Sequence, residues 1–195
     1  MIMTKPTPLQ KRLVLASKSP RRSQLLELAG FNFVVHAKDT PEDFPEHMPP
    51  DEVAEFLARK KAEAAREFLD RGDVILAADS IVVLENHIYG KPTDRNDAIR
   101  TLQRLSGCAH RVLTGVCLLS AHKTVSFTAV AKVALAELTQ EEIEFYVDTY
   151  EPYDKAGAYA IQEWIGLAKI TRIEGTYPNI MGLPVNLVYE ALLDF

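Results

Sequence analysis

Cysteine is scarce in this chain: two residues, Cys108 and Cys117, in 195. They lack the C-x-x-C spacing of a zinc or redox site, and so few thiols fit a reducing compartment and packing roles. Long apolar runs are missing as well. No stretch approaches the roughly 20 residues of a membrane span, and the opening MIMTKPTPLQKR has no apolar core of a signal peptide. The expected location is the cytoplasm, with no membrane partner. Positive charge is not in excess either. Lys and Arg number 22 against 27 Asp and Glu, the net charge is −5 and the pI is about 5.6. That balance argues against a nucleic-acid partner and still permits a local basic pocket. The histidines (His36, His47, His87, His110 and His122) have no ligand spacing. Neither a G-x-x-x-x-G-K-[ST] loop nor a G-x-G-x-x-G loop occurs.

What is present is an ordinary globular composition, 47% hydrophobic and 25% charged. No repeat, low-complexity segment or linker interrupts it, so a single domain over 1–195 is expected, with residues 1–11 flexible. Leu13–Ala16 reads as a buried strand. Ser19 and Pro20 then open a helix as N-cap and first residue, closed by Gly30. FNFVVHA is a second strand, and the proline- and acid-rich KDTPEDFPEHMPP is a loop. From Asp51 a long amphipathic helix is expected to run to Gly72, with Val53, Phe56, Leu57, Ala64 and Phe68 on one face. DVILAADSIVVLENHIYGKP reads as two strands meeting at a polar break, Asp79-Ser80, with a turn at Asn86-His87. A helix follows, capped by Thr93 or Asp94 and stopped at Gly107. Two strands joined at AHK come next. On the second, Val125, Phe127, Ala129, Ala131, Val133 and Leu135 share a face. Thr139 and Glu142 form a capping box for another helix. DKAGAYAIQEWIGLAKITRIEG holds a glycine-rich turn and one or two strands, and PVNLVYEALLDF is a final helix. Early βα units and a later hairpin give an α/β class with a mixed sheet.

Three places could carry chemistry. SKSPRR joins a strand to a helix, where first-turn N–H groups suit a phosphate. Ser17, Lys18 and Ser19 could donate to its oxygens, and Arg21 and Arg22 present planar forks. A capped surface helix with solvated arginines is the local alternative. In AADS, Asp79 ends an apolar run, where it could hold a divalent cation or serve as general base; it could equally cap a turn. Dispersed groups make the third: Glu42, Lys61 beside Lys60, Lys91 in YGKP, Asp154 and Lys155, and Gln162, whose amide could read a base edge. Singly each fits a surface role. Together, cations beside carboxylates are what Mg²⁺-assisted phosphoryl chemistry requires.

The order LASKSPRR, RKKA, AADSIV, YGKP, LSGCAHRVLTGV, DKAGAYAIQ and IEGTYPNIMGLP resembles the Maf family of nucleoside triphosphate pyrophosphatases, over about Leu13–Phe195. The resemblance implies an elongated, twisted mixed sheet with helices, in two lobes around a central cleft, like inosine triphosphate pyrophosphatase. It implies a homodimer and hydrolysis of a nucleoside triphosphate between the α- and β-phosphates, with Mg²⁺ or Mn²⁺. Asp79 would be the catalytic base and, with Glu42, the metal ligand. Substrate contacts would fall to Ser17, Ser19, Arg21, Arg22, Lys61, Ser80, Lys91 and Gln162. The branch with a DKAGAYGIQ-like segment acts on dTTP and UTP, and there Arg22, Ser80 and Gln162 match the base-selecting positions. The sister branch acting on methylated GTP, and a non-catalytic regulator of septum formation, are the alternatives. The chain departs from the family pattern twice. Ser80 stands where threonine is usual, and Glu163-Trp164 follow Gln162 where glycine is usual.

Overall fold

The computed structural model describes residues 6–195. Part of the segment expected to be flexible, residues 1–5, lies outside the described residues. Its remainder forms a helical turn, α1 (Thr7–Gln10), and Lys11 donates to the Phe195 carbonyl. The chain then runs through β1 (Arg12–Leu15), α2 (Pro20–Leu28), β2 (Asn32–Val35) and α3 (Pro50–Ala64). Next come β3 (Val74–Leu84), β4 (His87–Tyr89), α4 (Arg95–Leu105), β5 (Ala109–Leu119) and β6 (Thr124–Leu135). The last elements are α5 (Gln140–Tyr150), α6 (Trp164–Lys169), β7 (Ile170–Glu174), α7 (Tyr177–Met181) and α8 (Val185–Leu192).

The strands form one seven-stranded sheet in the order β2-β1-β3-β5-β6-β7, with β4 beside β3. β1 is parallel to both β2 and β3, whereas β4 is antiparallel to β3 and β7 to β6, so the sheet is mixed. The chain groups into two compact units. The first comprises the residues up to Asp79, Thr114–Ala129 and Gly182–Phe195; the second comprises Ser80–Leu113 and Val130–Met181. In the first, Val14, Ile75, Ala77, Cys117 and Leu119 pack with Ala58, Ala62 and Ala65. Ala58 and Ala62 let α3 lie close to the sheet. In the second, Val82, Leu102, Leu105, Val133, Ile143 and Tyr146 build the core.

Three expectations are corrected. β3 is unbroken through Asp79-Ser80, because a lysine from outside the strand satisfies the carboxylate. The hairpin turn falls on Glu85-Asn86, both left-handed (φ 56° and 116°), one residue earlier than expected. Two residues of that hand match the twist of paired strands. The long helix stops at Ala64 instead of Gly72: a 3-10 turn over Arg66–Phe68 lets Phe68 stack on His36, ring centroids 4.9 Å apart. Elsewhere the caps hold. Asp94 accepts from the Asp97 N–H at 2.8 Å, and the Thr139–Glu142 box makes both of its bonds. Ala129, Ala131, Val133 and Leu135 are buried on one face of β6, while Val125 and Phe127 are half-buried.

His110 on β5 is buried, 2.7 Å from the Tyr159 hydroxyl, and burial holds its pKa down at about 4 against an ordinary 6.5. The unfolded chain therefore takes up this proton first. Stability from His110 is complete above pH 6.5 and declines as pH falls toward 4. The loss amounts to up to about 3 kcal/mol. Thermal midpoints measured from pH 7 to 4.5 should fall more steeply for the parent than for His110→Gln. Equal slopes would refute the assignment.

Candidate active site

β1 delivers the chain, through Ala16 bonded to the Leu76 carbonyl at 2.9 Å, into the Ser17–Ser19 turn. Ser17 is buried, and its Oγ accepts from the Ser19 N–H at 3.2 Å and from Arg22 Nη1 at 3.0 Å. Ser19 is the N-cap of α2 and Pro20 its first residue, as the sequence indicates. The Ser19 side chain makes no capping bond to the first turn. Arg22 is fixed at a second point, its Nε donating to the Gly182 carbonyl at 2.8 Å. Burial draws the Arg22 pKa below its ordinary value. The Asp79 carboxylate opposes that shift, Arg21 adds to it, and Glu42 opposes it. These charges therefore act on one another within the first unit. Lys18 lies apart in an exposed pair with Asp39, at 2.6 Å.

Asp79 is buried on β3, 7% exposed. Lys61, from α3, bonds its Oδ1 and also reaches Glu42 Oε1 at 2.9 Å. The two neighbouring lysines are thus separated in role: Lys60 makes an exposed pair with Asp43 at 2.6 Å. One ammonium holding two carboxylates keeps a concentration of negative charge tolerable beside the sheet. Among the described residues, no three or more His, Cys, Asp or Glu side chains cluster as a ready-made metal site. The donor set still fits a hard cation. Mg²⁺ commonly takes one or two carboxylates and completes its shell with waters and phosphate oxygens. Glu42 and Asp79, joined through Lys61, are two carboxylates of the kind such an ion takes.

The second unit carries Ser80, Lys91 and Gln162. Ser80 is half-buried on β3. Lys91 lines a cavity of about 410 Å³ with Arg100, Arg104, Asp97, His87 and Tyr89, three basic side chains facing one carboxylate. Gln162 is half-buried, yet its Oε1 is enclosed and has no hydrogen-bond partner. Asp154 and Lys155, unassigned from sequence, pair with each other at 2.8 Å; Lys155 is buried and also lies 3.5 Å from Glu163. Sequence reasoning missed Tyr146, which bonds both Glu163 and the Ala160 N–H. It also missed Gly182 as the anchor for Arg22. A buried tyrosine on an apolar helix face usually finds a partner for its hydroxyl, and that was the available signal.

The fold itself defines a class. It matches that of the Ham1 protein of Staphylococcus aureus, with a TM-score of 0.56 over 94% of this chain and 99% of that one, at 17% identity. A family model described as Maf-like protein matches residues 12–195, and the chain belongs to that family. A dTTP/UTP pyrophosphatase of Porphyromonas gingivalis is 45% identical over 187 residues, 94% of each chain. Proteins of the same name from Bacteroides thetaiotaomicron and Flavobacterium psychrophilum are 43% and 40% identical, over 93% and 94% of this chain and 94% of each of theirs. No helix among the described residues is long and apolar enough to cross a membrane.

Proposed function

We propose that this chain hydrolyses dTTP and UTP to the monophosphate and pyrophosphate. The observation that carries this assignment is the Lys61 bridge joining Asp79 to Glu42 in the unit that also holds the Ser17–Arg22 turn. The names of the chain's relatives supply the nucleotide.

In this mechanism the triphosphate lies on the first turn of α2. N–H groups, Ser19 and Arg21 hold its oxygens. Arg22, braced by Ser17 and Gly182, keeps the turn in shape and supplies fixed positive charge. Asp79 takes a proton from a water that attacks the α-phosphorus. The bond from that phosphorus to the bridging oxygen breaks, and pyrophosphate leaves with that oxygen. Lys61 holds Asp79 in place and limits its motion. A Mg²⁺ or Mn²⁺ ion held by Glu42 and Asp79 would supply charge neutralisation on the phosphate oxygens. On the family resemblance, Lys91 is assigned to phosphate binding, and Ser80 and Gln162 to base selection. Positioning and fixed charge provide most of the rate.

The test is a product panel. Purified protein with Mg²⁺ or Mn²⁺ receives each common and modified triphosphate, and pyrophosphate and monophosphate are measured separately. Equal amounts of both products from UTP and dTTP are expected. Release of orthophosphate, or faster turnover of methylated GTP, would overturn the assignment.

A further inference from the structure

Gln162 occupies the third position of a tight turn, in which the Glu163 N–H donates to the Ala160 carbonyl at 3.2 Å. One hydroxyl grips this turn at both ends. Tyr146, fully buried on α5, accepts from the Ala160 N–H at 3.0 Å and donates to Glu163 Oε2. The other carboxylate oxygen of Glu163 faces the buried Lys155 ammonium at 3.5 Å. Burial, then the bond to Glu163, push the Tyr146 phenol above its ordinary range, so it stays a donor.

Glu163 also opens α6, since its carbonyl accepts from the Leu167 N–H at 3.0 Å. Its side chain makes no capping bond to that helix. The carboxylate at this N-cap position is committed to Tyr146 and Lys155 instead. A third restraint comes from Gly166: a Cβ there would lie 1.9 Å from the Ile161 carbonyl oxygen, so the helix start presses directly on the turn. The backbone around Gln162 is therefore held from three sides, while its enclosed Oε1 lacks a donor. The terminal amide torsion is soft, so that oxygen can turn toward a ligand N–H without backbone movement.

We propose that Tyr146 and Glu163 are positioning residues for base selection, clamping the Ala160–Glu163 turn so that Gln162 meets the imide N–H of uracil or thymine. Cytosine presents an acceptor at that ring position, so the glutamine must turn its amide over and offer Nε2–H to pair with it. This inference rests on the assignment of Gln162 to the base. It gives a purpose to Glu163, one of the two places where the chain departs from the family pattern.

The experiment measures kcat and KM for UTP and CTP in the parent, Gln162→Ala, Tyr146→Phe, Glu163→Gln and Gly166→Ala, with a thermal melt for each. Loss of one well-placed bond to the base corresponds to about a tenfold change. Tyr146→Phe and Glu163→Gln should each raise KM for UTP by about that factor, with kcat and the CTP parameters little changed. The preference for UTP then falls toward that of Gln162→Ala. If Gln162→Ala loses the preference while Glu163→Gln and Tyr146→Phe keep it, the clamp is refuted and the base contact stands. If Gln162→Ala itself keeps the preference, the base contact is wrong and the clamp falls with it. Equal losses on UTP and CTP in the folded variants would mark a purely structural role and overturn the proposal. Should Tyr146→Phe fail to fold, Glu163→Gln decides.

Discussion

An Asp79→Asn variant folds and hydrolyses UTP about 10²–10⁴-fold more slowly than the parent, the range expected when a positioned base is removed. Asparagine has nearly the shape of aspartate, so β3 keeps its packing. What changes is proton acceptance and charge. Lys61 loses one of its two anionic partners and retains Glu42. Loss of a hydrogen bond to a charged group then lowers stability by about 2 kcal/mol, too little to unfold an ordinary domain. Pyrophosphate release and a circular-dichroism melt, run on the same preparation, separate the two effects. Turnover at the parent rate in a folded variant would remove Asp79 from the role of base.

The second large effect concerns stability alone. Gly115, on β5 in the first unit, lies where a Cβ would come within 2.1 Å of the Ala54 carbonyl carbon and 2.2 Å of the Glu55 nitrogen. Both are backbone atoms of α3, so no side chain can swing aside. Gly115→Ala must push the helix away from the sheet, and the same helix carries Lys61. Overpacking of this kind costs about 3 kcal/mol, which lowers the thermal midpoint by roughly 6–12 °C in a domain of this size. Gly90→Ala is the control, because a Cβ there meets nothing within 4 Å. Equal midpoints for the two variants would show that the close approach of helix and sheet is not maintained in solution.

Sequence reasoning succeeded where the signal was local. The Ser19-Pro20 helix start, the Asp94 cap, the Thr139–Glu142 box and the alternation along β6 all depend on neighbours within a few residues. It failed where a distant partner decides. Asp79 resembled a strand break because its ammonium partner lies 18 residues earlier, on another element. The helix expected to reach Gly72 ends early because Phe68 finds His36, a contact that periodicity does not encode. In the same way, RKKA did not reveal which lysine turns inward; the structure sends Lys60 to Asp43 and Lys61 to Asp79. For the site, the residue types were legible from motif order. Their mutual contacts were not: two of the Arg22 nitrogens bond Ser17 and Gly182, partners that motif order does not encode.

The anchoring of Arg22 by Gly182 also has a consequence for biosynthesis. Ser17, Arg22, Lys61 and Asp79 all leave the ribosome early, whereas the carbonyl that holds Arg22 belongs to the last stretch of the first unit, Gly182–Phe195. At translation speeds of about 5–20 residues per second, the nascent chain waits on the order of ten seconds between emergence of Asp79 and arrival of that carbonyl. Throughout that interval the Ser17–Arg22 turn lacks the bond from Arg22 to the Gly182 carbonyl. The Ser17–Arg22 turn therefore gains that bond only after Gly182 arrives, and polypeptides released before it would carry the SKSPRR motif without it.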